Sequence, residues 1–148
     1  MYRKLIKLSI LTAMSSVLAT EQFLPHLEIY TGGYNVLRSE NYFMVGLNYT
    51  LKQYDYFSVE TGGFISDKDM YYLHIGPRFT YKRLFVSVGP GYYHQGQGLD
   101  LGRDLEFKSE VGLKITKNLH IGFFHLSNAG TDDYNPGTEA AYIGFSGF

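Results

Sequence analysis

Apolar and polar residues alternate with a period of two in eight successive segments of this chain, each about ten residues long. Such alternation puts one set of side chains on each face of a strand. Residues 27–34 set Leu27 and Ile29 against Glu28 and Tyr30. Residues 42–51 set Phe43, Val45, Leu47, Tyr49 and Leu51 against Gly46, Asn48 and Thr50. The pattern repeats over 56–65, 70–81 and 83–93. It is clearest over 104–115, where Leu105, Phe107, Val111, Leu113 and Ile115 oppose Asp104, Glu106, Lys108, Glu110 and Lys114. Residues 118–128 and 138–148 complete the set.

A tilted strand of about ten residues spans a bilayer. The links between segments alternate as well. Tight turns at 52–55, 82–83 and 116–118 are interleaved with longer or more polar links at 35–41, 66–69, 94–103 and 129–137. An outer-membrane barrel has this asymmetry, with short periplasmic turns and longer outer loops. The expected fold is therefore all-β, an eight-stranded antiparallel transmembrane β-barrel. Closure would remove the sheet edges. Glu28, Glu60, Arg78, Glu106, Lys108, Glu110 and Lys114 would line a lumen that eight strands leave just wide enough for side chains. Tyr49, Tyr56, Tyr81 and Tyr92 would supply interfacial girdles. The terminal Phe148 resembles the C-terminal aromatic assembly signal of bacterial outer-membrane barrels.

The N-terminus suits export. Arg3, Lys4 and Lys7 precede an apolar run at 8–19 that ends in the small-residue site Val17-Leu18-Ala19. Residues 1–19 read as a signal peptide and 20–148 as the barrel domain. Cleavage there would leave 10 of the 13 basic residues against 14 acidic ones. That balance gives no basic face for nucleic acid. Cysteine is absent, which excludes disulfides and zinc–thiolate sites.

The last two segments carry the chemistry. His125 and Ser127 have the parity of Leu119, Ile121 and Phe123, so they lie on the lipid-facing side. Residues two apart point the same way, about 6.6 Å apart along the strand. A histidine beside a serine is a nucleophile-and-base arrangement that needs a third group to hold the imidazole. Glu139 shares the parity of Ala141, Ile143 and Phe145 on the neighbouring strand and can supply it. In the intervening loop, Asn128, Asn135 and the Gly130 N–H are candidate donors to an oxyanion. Asn128 differs in parity from Ser127 and would turn inward. Phe148 also differs in parity from Glu139, which calls for a bulge or register change between them if both face outward.

The run FHLSNAG (124–130) followed by NPGTE (135–139) resembles the PagL-type lipid A 3-O-deacylases of Gram-negative outer membranes, in which H-x-S-N precedes N-P-G-x-E. The motif spans the C-terminal region, and the barrel layout spans the rest of the mature chain. The resemblance implies an esterase with Ser127 as nucleophile, His125 as general base and acid, and Glu139 as the orienting acid. It suggests Asn135 and the Gly130 backbone as oxyanion donors, with Asn128 in support. It implies lipid A, within lipopolysaccharide, as substrate, release of the 3-O-linked 3-hydroxyacyl chain, an outer-membrane location, and no metal or other cofactor. Two alternatives stand beside it: a non-enzymatic structural or adhesive barrel, and an outer-membrane phospholipid acyl hydrolase.

Other residues carry less. Phe123, Ile143 and Phe145 can line an acyl-chain groove or simply meet lipid. His26, His74, His94 and His120 lack metal-ligand spacing, and His74 and His120 have lumen parity. Asp132 and Asp133 suit either a solvated loop or a divalent ion bridging lipopolysaccharide phosphates. Arg38, Lys68 and Arg103 lie in outer loops, where they can touch lipid A phosphates or remain solvated.

Overall fold

The computed structural model describes residues 24–147. The expected signal peptide at 1–19 and the terminal Phe148 lie outside the described residues. Eight strands run β1 Leu27–Tyr34, β2 Tyr42–Gln53, β3 Phe57–Ser66, β4 Tyr71–Tyr81, β5 Leu84–His94, β6 Leu105–Lys114, β7 Leu119–Ser127 and β8 Thr138–Ser146. Each pairs antiparallel with the next, and β8 pairs with β1 to close the barrel. Short 3₁₀ turns at Leu24–His26 and Asp67–Asp69 are the helical segments among the described residues.

The two faces sort as the alternation requires. Phe43, Val45, Ile65, Leu73, Ile75, Val86, Val88 and Val111 are exposed on the outer wall. This apolar belt is the surface expected to meet lipid. Tyr56 and Tyr81 mark its lower edge beside the short turns, and Tyr92 its upper edge.

The lumen is filled in two tiers. Toward the short turns lies a charge network centred on Arg78. Its guanidinium meets Glu28 at 2.8 Å, Glu60 at 3.0 Å and Glu110 at 3.3 Å. Lys108 adds a 3.2 Å contact to Glu110, and His120 one of 3.3 Å to Glu28. Asn48 links Glu28 to His74. Hence His74 and His120 serve the lumen network. Above it Tyr30, Tyr34, Phe64, Tyr72, Tyr93, Phe124 and Tyr142 form a packed aromatic cluster with Met44 and Met70.

Glycine makes room for these rings. Tyr142 pairs across the ladder with Gly122, where an added Cβ would lie 2.3 Å from the Tyr142 Cζ. Phe85 opposite Gly112, Tyr30 opposite Gly46 and His120 opposite Gly144 repeat the arrangement. Each of these four rings thus lies over a bare stretch of the adjacent strand.

Several details depart from the alternation. A bulge between Thr50 and Lys52 leaves Leu51 unpaired and carries β2 on to Gln53, so the first tight turn is 54–56. Lys114 is exposed at the short-turn end, so it takes no part in the lumen network. Glu106 is fully buried, yet among the described residues neither of its carboxylate oxygens has a hydrogen-bond partner. Strand β8 keeps one register against β7 from Thr138 to Phe145 and against β1 from Ala140 to Ser146, so among the described residues no bulge or register change intervenes there. The regular path ends at Gly147, at φ +73°.

Candidate active site

The site lies at the outer end of β7 and β8, on the outside of the wall. His125 and Glu139 are direct cross-strand partners. Directly opposed residues bring their Cβ atoms to about 4.5–5.5 Å. The pairing lets His125 Nδ1 meet Glu139 Oε1 at 3.2 Å. An ionised carboxylate can only accept, so the contact suits the neutral tautomer with its proton on Nδ1 and a lone pair on Nε2. The His125 side chain is 42% exposed and that of Glu139 19%. Both face outward while their neighbours Phe124, Leu126, Thr138 and Ala140 are buried in the lumen.

Ser127 ends β7 on the same outer face, one outward position above His125 and opposite Phe107 of β6. It is half-buried. Among the described residues no hydrogen bond joins its hydroxyl to His125, consistent with the stagger of about 6.6 Å between same-face positions. Below this polar group, Phe123, Ile143 and Phe145 are exposed on the wall as the parity requires.

A short turn presses on the imidazole from above. Gly137 adopts φ +60°, and a Cβ added there would lie 2.6 Å from His125 Cε1 and 3.1 Å from Nε2. Only a residue without a side chain can hold this backbone against the ring. Two residues earlier, the exposed Asn135 accepts the Asn128 N–H with its Oδ1 at 3.1 Å. Its amide NH₂ makes no hydrogen bond among the described residues and is available as a donor.

Asn128 turns inward and is fully buried. Its Nδ2 donates to Tyr134 O at 2.8 Å and Leu101 O at 3.4 Å. Its Oδ1 accepts the Gly130 N–H at 3.0 Å. The N–H of Gly130 that the sequence offers to an oxyanion is thus engaged within the loop. Asn128 ties the β7–β8 loop to the β5–β6 loop, and Arg103 adds a 2.9 Å bond to Asp132. That bond lowers the Asp132 carboxyl pKa below its ordinary value. Among the described residues no cluster of three or more His, Asp or Glu could hold a metal ion.

The comparisons with known proteins fit this layout. The family model for lipid A 3-O-deacylase (PagL) matches residues 29–146. The chain belongs to the PagL family of lipid A 3-O-deacylases. It is therefore an ester hydrolase by family. The crystal structure of the outer membrane enzyme PagL superposes with a TM-score of 0.58 at 18% identity, covering 80% of this chain and 96% of that one. A de novo designed transmembrane β-barrel matches with a TM-score of 0.51 at 16% identity, covering 86% of this chain and 98% of the design. The solution structure of a second design, TMB2.3, matches at 0.52 and 12% identity, with the same coverage of both chains. At these identities the structural matches speak for the fold, and the family assignment rests on the sequence model. No curated protein matches the chain.

Two features of this PagL-family site were hidden from sequence reasoning. One is the packing of Gly137 against the imidazole, which the Pro136-Gly137 turn signal only hints at. The other is the contact that Arg38 makes with this turn. Its Nη2 donates to Pro136 O at 2.5 Å and Gly137 O at 3.2 Å.

Proposed function

We propose that this protein hydrolyses the 3-O-linked 3-hydroxyacyl ester of lipid A, with Ser127 as nucleophile, His125 as base and acid, and Glu139 as the orienting carboxylate. The observation that carries the reading is the His125–Glu139 pair on the outer wall, beside Ser127 on the same face. A histidine whose Nδ1–H is held by a carboxylate presents Nε2 in the basic tautomer and is stabilised when it becomes imidazolium. Polar side chains are costly on an otherwise apolar face unless they serve one another.

The steps follow from that arrangement. Ser127 Oγ attacks the ester carbonyl while His125 Nε2 takes its proton. The tetrahedral oxyanion receives an N–H of Asn135, which is worth about 2.7–4 kcal/mol to the transition state in sites of this type. Collapse breaks the ester C–O bond, and the imidazolium returns its proton to the departing 3-position hydroxyl of lipid A. Water, deprotonated by His125, then attacks the acyl-serine; the acyl C–Oγ bond breaks, the imidazolium returns its proton to Ser127 Oγ, and the 3-hydroxy fatty acid leaves. Serine and histidine need to approach only for the reaction, since such hydrogen bonds commonly tighten once substrate is bound.

The test compares wild type and Ser127→Ala, both folded as barrels, on lipopolysaccharide and on phospholipid, with products read by mass spectrometry. Wild type releases a 3-hydroxy fatty acid from lipid A, and the variant releases none. Equal release by the variant refutes the nucleophile. Release from phospholipid alone transfers the activity to a different ester.

A further inference from the structure

We propose that Arg38 is a positioning residue for the esterase site: it holds the turn that seats the imidazole and presents Asn135. The inference rests on the deacylase reading of Ser127, His125 and Glu139. It starts from a gap in the barrel wall. The β1–β8 ladder ends at the pair Tyr34 and Ala140. Above it β8 still has to place Glu139, and beyond Glu139 the chain has to place Gly137 and Asn135. On the β7 side the ladder continues through His125–Glu139 and Leu126–Thr138. On the β1 side no strand remains.

The β1–β2 loop, residues 35–41, takes the place of the missing strand. Val36 N–H donates to Glu139 O at 3.1 Å. Thr138 Oγ1 donates to Asn35 Oδ1 at 3.0 Å. Arg38 then reaches the next two residues, Gly137 and Pro136. The loop is itself braced. Asn35 is buried at φ +62°, its Nδ2 donates to Glu40 O at 2.7 Å, and its carbonyl accepts the Arg38 N–H at 3.2 Å.

Arg38 makes the only charged contact in this series. Both hydrogens of its Nη2 are committed, one to each carbonyl. Those carbonyls belong to Gly137, which packs against His125, and to Pro136, which joins it to Asn135. Hydrogen bonds from a charged donor are roughly twice as strong as neutral ones. Freed from this grip, the Pro136 and Gly137 carbonyls would lose their tie to the β1–β2 loop, whose remaining contacts hold Thr138 and Glu139. Gly137 would then leave the imidazole, and Asn135 would lose its aim.

The competing role for an outer-loop arginine is a contact with lipid A phosphate, and the two roles separate experimentally. Arg38→Ala and Arg38→Lys are prepared as folded barrels, checked by heat-modifiable gel mobility. They are assayed on lipid A with its phosphates and on dephosphorylated lipid A. Ser127 is also labelled with a small fluorophosphonate, which carries no lipid A phosphate. For positioning, Arg38→Ala lowers kcat about 10- to 100-fold on both lipids, with KM within about twofold. Labelling slows in parallel, and lysine restores part of each. A rise in KM confined to phosphorylated lipid A, with labelling unchanged, overturns the proposal in favour of phosphate binding. An unchanged kcat overturns it as well. If wild-type Ser127 labels but lipid A stays intact, the deacylase reading fails alone, and the labelling rate still decides Arg38. If wild-type Ser127 does not label, both fall.

Discussion

Gly137→Ala is the substitution whose effect can be worked most directly from the coordinates. The new Cβ would lie 2.6 Å from His125 Cε1 and 3.1 Å from Nε2. Carbon atoms in good contact sit about 3.5–4.0 Å apart. The ring must therefore retreat by about 1 Å, or the turn must lift by the same amount. A misplacement of about 1 Å in a reacting group costs on the order of 100-fold in rate. Alanine at φ +60° adds about 1–2 kcal/mol of backbone strain. Gly130→Ala supplies the control. It has a similar φ of +75°, but no atom lies within 4 Å of its added Cβ, and it keeps its N–H. Both variants should lose about 1–2 kcal/mol in denaturant unfolding of the refolded barrel. In fatty-acid release followed by mass spectrometry, Gly137→Ala should fall about 100-fold, and Gly130→Ala far less. Equal rates for the two variants would show that the Gly137–imidazole contact does not matter, and the account of the turn would be wrong.

Other perturbations separate the parts of the molecule. Glu139→Gln keeps a side-chain acceptor opposite His125 but removes its charge. Its rate of release should drop on the order of 10³-fold with the barrel intact, and a loss of less than tenfold would remove Glu139 from the orienting role. Arg78→Met leaves Glu28, Glu60 and Glu110 facing one another in the lumen. Breaking a buried ion pair from one side costs about 3–5 kcal/mol, to be measured as denaturant unfolding in detergent or vesicles. Unaltered stability would mean that the lumen network does not hold the barrel together.

The barrel was legible because period-two alternation is local and each face meets a different solvent. The outward set of β6, Leu105 through Leu113, could be read without any knowledge of its neighbours. His125, Ser127 and Glu139 could be placed on one wall by the same counting, since hairpin strands share a register. What escaped depends on residues that meet across the barrel. The meeting of Arg78 with carboxylates from β1, β3 and β6 is set by side chains crossing the lumen, which no local pattern encodes. The bulge after Thr50 shifts parity by one residue and has no sequence mark. Arg38 looked free because its partners are carbonyls 98 and 99 residues away.

The position of the site along β7 fits an ester held in a bilayer. Leu119, Ile121 and Phe123 form the outward face below, and polar side chains begin only at His125. Ser127 stands eight residues above Leu119, about 26 Å along the strand at roughly 3.3 Å per residue. With a strand tilt of about 35–45° this is a height of about 20 Å, near the top of an apolar band about 25 Å tall. Lipid esters sit at that level, between head group and acyl chain. The lumen offers no alternative route, because the aromatic tier from Tyr34 to Tyr142 fills it at the same end. In the proposed reaction a lipid substrate would come sideways through the leaflet, its carbonyl level with Ser127 and its chain over the exposed Phe123 and Ile121. A soluble short-chain ester lacks that anchorage. It should therefore be cleaved with a much higher KM than a lipid of the same acyl linkage, while kcat reports the same His125–Glu139 pair.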